Sequence, residues 1–473
     1  MSTTLSETDL AQRVLGLVGP GIEAEVVVER HALALTRFAN SYIHQNVADE
    51  TTTVRLRLHA GGRTATTSTT VLDGLDELVR RTIGSMRLAP ADPTWPGLTP
   101  ATPSPFGGNF DEETAAADPG LRAARVRAFV DHAAGLDTAG YCRTSSTRVA
   151  FANSAGQHVS GARTSAAMDG IARTATSDGL ARLASGRLSD LDGAVLGARA
   201  AAKALAGADP VELPPGRYEV VLEPTAVADV LQMLAAYGFN AKMMLDRQSF
   251  LELGKAQFDP AVTIVEDATT PESTAVPFDI EGTPRRRLVL VDAGVSTAVV
   301  HDRRTAARAH VAWVSGSASG AGSGEGPEST GHAIAGGASF GALPASMRLV
   351  PSDGPAPSEV DGPAADSAVA ALVAGVQRGL LVTDNHYTRV LDPRTLVVTG
   401  LTRNGVWLIE DGVITRPVRN FRFTQSYPQA LAPGAVLGIG SRAVELPGAW
   451  SESGFIAPAL RLASWNYTGG ASG

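Results

Sequence analysis

The stretch Glu212–Phe239, ELPPGRYEVVLEPTAVADVLQMLAAYGF, packs a break, a strand and a helix into one short segment. Pro214, Pro215 and Gly216 interrupt regular structure and mark a domain boundary. Tyr218–Leu222 then reads as a strand, and Pro224 opens a helix, where its missing N–H costs nothing. That helix is expected to run to about Tyr237. Helical and extended patterns mix before the break, whereas strands dominate after it. The expected fold is α+β in two domains: an N-terminal α/β domain over 1–210 and a strand-rich C-terminal domain over 211–473.

Upstream of the break, Leu10, Val14, Leu15 and Val18 have helical spacing and stop at Gly19-Pro20. Ala24–Val28 and Leu33–Phe38 read as two extended segments. Val54, Leu56 and Leu58 alternate with Arg55 and Arg57, the period of a half-buried strand. Helices are expected at Leu72–Met86, about Leu121–Ala134 and Ala194–Leu205, with strands through Tyr141–Thr176 turning at Asn153–Gly156. Downstream, Arg287–Val291 and Val295–Val300 read as strands, and Asp411-Gly412 suits a type I′ hairpin turn between two more. Ser315–Gly326 and Pro351–Asp366 lack apolar residues and read as mobile loops.

Composition narrows the function. With 44% hydrophobic and 19% charged residues among 473, the chain can bury a large core. A net charge of −8 argues against a nucleic-acid partner, which needs a basic face. No apolar run is long enough to span a bilayer, and the polar start Met1–Leu10 shows no secretory leader, so a cytoplasmic protein without a membrane role is expected. Cys142 is the only cysteine, which fits a reducing compartment and confines any metal site mainly to histidines and carboxylates.

A search for chemistry finds little. No H-E-x-x-H motif and no G-x-S-x-G elbow occurs. The glycines of Ser317–Gly326 lack the strand–turn–helix frame and the Lys-Ser/Thr of a P-loop. Cys142, within an expected strand, reads as a packing residue. Asp279 and Glu281 would share one face of an extended segment and could serve a metal or a general base, although a charged turn explains them as well. His301 and His310 are expected on separate faces of a strand and its exit, while His332 and His386 follow polar loop residues.

Several segments, in order, resemble the TldD/PmbA family of bacterial metallopeptidases, also described as modulators of DNA gyrase. They are Leu35–Asn40 with Ile43-His44, Phe151–Gly156, Phe278–Pro284 with Asp302–Ala306, Ser329–Ala333, and Asp392–Gly400 followed by Leu408–Gly412 and Pro417-Val418. In the catalytic TldD branch, an early C-terminal helix carries H-E-x-x-x-H and a distant cysteine completes a zinc site. Two imidazoles and a thiolate leave a fourth position for an acidified water. Here the matching positions are Leu234, Ala235 and Phe239, and no His, Cys or Glu occurs anywhere from Pro224 to Leu251. Pro433–Gly473 has no cysteine.

The resemblance is to the PmbA (TldE) branch, which has lost those ligands and pairs with TldD. It implies a non-catalytic subunit of a cytoplasmic heterodimeric protease acting on unfolded or extended peptides, with zinc held by the TldD-like partner and no cofactor in this chain. Two other readings stand beside it: a homo-oligomeric peptide-binding protein without catalysis, and a metallopeptidase using non-family residues among Asp279, Glu281, His332 and His386. Peptide binding by strand addition to a sheet edge is the expected mode.

Overall fold

The computed structural model describes residues 5–104, 106–314, 328–353, 367–448 and 454–470. The expected loop Ser315–Gly326 lies outside the described residues, as does most of Pro351–Asp366.

Six strands come from residues 23–185: β1 (Glu23–Ala39), β2 (Tyr42–Ala60), β3 (Arg63–Thr69), β4 (Asp137–Asn153), β5 (His158–Arg173) and β6 (Asp178–Ser185). They lie in the order β3-β2-β1-β4-β5-β6, every neighbour antiparallel. Alternation sorts their side chains into two faces. Val26 and Val28 of β1, with Val54, Leu56 and Leu58 of β2, pack beneath the helices Glu7–Leu17 and Leu75–Leu88. Farther along the same face, Phe38, Cys142, Ala166 and Met168 pack beneath Pro119–Asp131 and Gly193–Ala206. The opposite face carries Val27, Val149, Phe151 and Val159, which meet Phe278 from the C-terminal half.

The two extended segments expected within residues 24–38 are one strand. Glu29-Arg30-His31 interrupts the apolar pattern, but β2 and β4 hydrogen-bond to both edges of β1 and carry its backbone through that polar stretch.

Residues 216–470 supply eleven more strands: β7 (Gly216–Leu222), β8 (Ile264–Glu266), β9 (Leu288–Asp292), β10 (Val295–Ser296), β11 (Met347–Leu349), β12 (Arg378–Asp392), β13 (Val397–Glu410), β14 (Val413–Pro417), β15 (Phe421–Ser426), β16 (Val436–Leu446) and β17 (Phe455–Gly470). Five of them close on themselves. β7 pairs parallel with β12 and antiparallel with β17, while β12-β13-β15-β17 completes the circuit. Val220, Leu380, Leu408, Phe423 and Trp465 from this ring form one core with the helix Pro224–Met233. The Asp411-Gly412 hairpin forms as expected, with φ of 49° and 76°.

The expected strand Val295–Val300 is cut to Val295–Ser296, and Asp302–Ala306 instead begins a helix, Arg303–Val314. Asp302 caps it, accepting from the Thr305 amide at 2.6 Å and from its hydroxyl at 2.7 Å. His310 therefore sits on a helix, not at a strand exit. Among the described residues, no helix is long and apolar enough to cross a membrane.

Helix packing on the first sheet rests on a close approach. A Cβ on Gly197 would stand 2.2 Å from the Phe129 carbonyl oxygen, and one on Gly193 2.0 Å from that of Arg125. Gly197→Val should therefore push the two helices apart and cost about 3 kcal/mol or more. Urea unfolding of variant and parent measures this, and an unchanged midpoint would refute the close-approach argument.

Candidate functional site

The Pro224–Met233 helix ends in a π turn, Leu234–Gly238, closed by the Phe239 N–H donating to the Leu234 carbonyl at 2.8 Å. On an ordinary α-helix, a residue five positions on is rotated by about 140° from the first. The i→i+5 bond brings Phe239 back over Leu234 instead. Two ligands at that spacing would need this geometry. Here both residues are fully buried and Ala235 is 4% exposed. The Phe239 ring stacks on Phe258 at 6.3 Å, and the Phe239 carbonyl accepts from the Val300 amide at 2.8 Å. None of these three side chains offers the imidazole, thiolate or carboxylate donors that zinc requires, and the helix's one acid, Asp229, is engaged by Thr388 and Tyr427. The metal of the resembled family does not fit this site. Among the described residues, no group of three or more His, Cys, Asp or Glu side chains is placed to hold a metal ion.

The other candidates separate into two places. Asp279 and Glu281 do not alternate along a strand; they lie in a turn closed by the Phe278↔Pro284 bridge. Asp279 Oδ1 accepts from the Glu281 and Thr283 amides at 2.9 and 3.0 Å, and Oδ2 from the Ala333 amide at 2.8 Å. Glu281 reaches across to the first sheet, where Arg57 donates to its Oε1 through both terminal nitrogens at 3.1 Å. Its Oε2 accepts from the Arg303 amide at 3.0 Å. Arg57 also grips Glu25 of β1.

The turn seats on the sequence Phe151–Gln157. Gln157 donates to the Gly282 carbonyl at 2.7 Å, and a Cβ on Gly282 (φ +71°) would stand 2.3 Å from the Phe151 ring. His332 is adjacent through Ala333 and is fully buried. Its Nδ1 lies 2.9 Å from Thr330 Oγ1 and its Nε2 3.1 Å from Glu266 Oε1. Burial pushes the His332 pKa down against the pull of Glu266. Burial pushes Glu266 up, but His332, the Arg285 charge and the Ser346 amide outweigh it and leave its pKa below the ordinary range. A neutral imidazole and an ionised carboxylate result. Asp279 moves the other way, raised by burial and by the Glu281 charge.

His386 is elsewhere. It is exposed on β12, where Arg403 Nη1 lies 2.9 Å from its Nε2. Burial and the charges of Arg403, Arg182 and Arg389 lower its pKa. Cys142 is buried and unpaired, its thiol pushed up to about 12 by burial, which makes it inert.

Two features escaped the sequence reading. Arg57, expected on the half-exposed side of its strand, is the centre of the cross-sheet cluster. Asp229, a lone acid on an apolar helix, is partly buried and accepts from Thr388 at 2.6 Å and Tyr427 at 2.8 Å. Burial raises it to about 7 against those hydrogen bonds. Its isolation among apolar neighbours was the available signal.

Residues 215–469 match the family model for the PmbA/TldA metallopeptidase C-terminal domain, and residues 24–85 match that for PmbA/TldA metallopeptidase domain 1. Metalloproteases of Methanothermobacter thermautotrophicus and Archaeoglobus fulgidus are each 30% identical over 95 residues, 20% of this chain and 21% and 22% of theirs. The matched stretch thus spans about a fifth of either relative. In three dimensions the chain is similar to TldE of Thermococcus kodakarensis, with a TM-score of 0.80, 17% identity and coverage of 97% of this chain and 99% of that one. A Thermotoga maritima protein described as a candidate modulator of a DNA gyrase gives 0.79 at 18% identity, covering 97% and 99%. At these identities the likeness establishes the fold alone.

The cross-sheet cluster carries a testable pH dependence. Two carboxylates share one guanidinium, and burial, against the opposing charge of Arg57, raises Glu25 from 4.5 to about 7. Between those values the folded chain holds a proton that the unfolded chain has released. Its stabilisation is therefore complete below about pH 4.5 and lost as pH rises through about 7. Relative to Glu25→Gln, the parent should lose roughly 1–3 kcal/mol of unfolding free energy over that interval. Urea titrations at a series of pH values test it, and parallel curves for the two proteins would count against it.

Proposed function

The chain belongs to the TldD/PmbA family of metallopeptidases, and from that premise we propose that it is the family's non-catalytic, TldE-like subunit. One observation carries this reading: the π turn keeps the spacing of a two-ligand site, yet Leu234, Ala235 and Phe239 fill it with hydrocarbon. In this role the chain supplies shape and peptide contacts, while a TldD-like partner holds zinc and hydrolyses unfolded or extended peptides in the cytoplasm. Residues 1–210 and 211–473 act as its two domains.

A peptidase built on non-family residues is disfavoured by the state of its candidates. Asp279, Glu281 and His332 are each buried, and internal hydrogen-bond partners occupy their polar atoms. A general base needs a free site within reach of a substrate proton. His386 has the exposure but no carboxylate or second histidine partner among the described contacts.

The test is direct. Purified alone, the chain should carry far less than one zinc per molecule and show no peptidase activity. Mixed with an H-E-x-x-x-H chain from the same cell, it should form a complex whose activity follows the partner's histidines. Stoichiometric zinc in this chain alone, lost with turnover on mutating His332 or His386, would sink the proposal. Recovery from the native cell of self-assemblies only would favour the homo-oligomeric peptide binder.

A further inference from the structure

A cleft of about 570 Å³ opens between the Gly193–Ala206 helix of the first sheet and the Ser367–Ala374 helix of the second. Its size is that of a ligand site, commonly about 300–1,000 Å³. Val369, Val373, Leu381, Trp407, Val413 and Ile414 supply an apolar wall. Val413 and Ile414 remain 61% and 45% exposed and extend the apolar wall to the surface. The floor is rigid, because Trp407 Nε1 donates to the Ala206 carbonyl at 3.0 Å.

The charged groups of the lining are unequal. Arg182 pairs with Asp169 at 3.2 Å and Asp384 at 3.8 Å, and Lys203 pairs with Glu223. Arg199 alone among the lining charges has no ion pair among the described residues, and its Nε is buried without a hydrogen-bond partner. The wall also includes Pro224 and Thr225, the first residues of the Pro224–Met233 helix, whose positive end Glu223 does not cap with its side chain. An unpaired guanidinium beside an apolar surface is complementary to one carboxylate attached to hydrocarbon. Its planar fork receives the two carboxylate oxygens, and the wall takes the adjoining side chain.

We infer that this cleft binds the carboxy-terminal end of a peptide whose last residues are apolar. The site's chemistry stands on the geometry alone, whereas the choice of a peptide over a fatty acid rests on the proposed function. It lies at the opposite end of the helix from Leu234–Phe239, about 15 Å away for ten residues at 1.5 Å each. The cleft is thus separate from the apolar remnant of the ligand motif.

Fluorescence anisotropy on the full chain tests this with a labelled hexapeptide ending in Leu-Val-Leu, made once as the free acid and once as the carboxamide. The acid should bind about tenfold more tightly than the amide, the worth of a charge-assisted hydrogen bond to a carboxylate. Arg199→Gln should reduce acid binding to the amide level with an unchanged melting temperature, and Ala202→Trp, which fills the cleft, should abolish both. Equal binding of acid and amide to the parent chain overturns the inference without recourse to any variant. So does the absence of binding. Arg199-dependent binding of decanoate with no binding of the acid peptide overturns the peptide as occupant. None of these outcomes depends on zinc content or on a partner subunit, so they fail or succeed apart from the proposed function.

Discussion

The Arg57 guanidinium stands between two carboxylates, Glu25 from its own sheet and Glu281 from the C-terminal half, and this three-group contact fixes how the two sheets sit on one another. All three groups are largely removed from water. Breaking such a pair strands the remaining charge at a cost of about 3–5 kcal/mol, whereas the intact set adds little net stability. Its value is directional. The acid on one body and the base on the other permit one seating, and the Gly282–Phe151 contact beside them tolerates no side chain.

That constraint explains why residues that look catalytic are not free to act. The turn Phe278–Pro284, the Asn153–Gln157 turn and the segment Ser329–Ala333 converge on the same joint. Asp279 binds the Ala333 amide, Asn153 donates to the Thr99 carbonyl at 2.8 Å, and Thr99 donates to the Glu281 carbonyl at 2.6 Å. Arg303 ties the next helix to the carbonyls of Gly97 and Pro96 at 3.3 and 3.2 Å. Segments scattered over nearly two hundred residues, which together suggested a family, thus turn out to share a mechanical task. A buried polar network of this kind specifies geometry only when each member is satisfied.

The local signals in the sequence were dependable where local physics decides. The Gly19-Pro20 stop, the Pro224 start and the Asp411-Gly412 turn each follow from one residue's backbone limits, and each element forms where it is expected. Periodicity failed where a distant segment changed the environment. Arg55 and Arg57 alternate with apolar residues as on a solvated face, but the covering layer comes from residues 276–282. No spacing within β2 could announce it. The closed circuit through β7, β12 and β17 was equally hidden, since its pairings join strands separated by most of the C-terminal half. His310 lies on a helix and not at a strand exit, because Asp302, just past the expected strand Val295–Val300, caps a helix.

The π turn Leu234–Gly238 distorts the helix within a fully packed core. Such turns distort the helical ladder, and they recur mostly where function requires the altered spacing. Small residues at Leu234 and Phe239 would leave a void, and buried voids are destabilising in proportion to their volume. Leucine and phenylalanine occupy the positions instead, with Phe239 stacked on Phe258. Both side chains belong to the main C-terminal core. The backbone distortion is thus held by packing, at the opposite end of the Pro224–Met233 helix from the cleft.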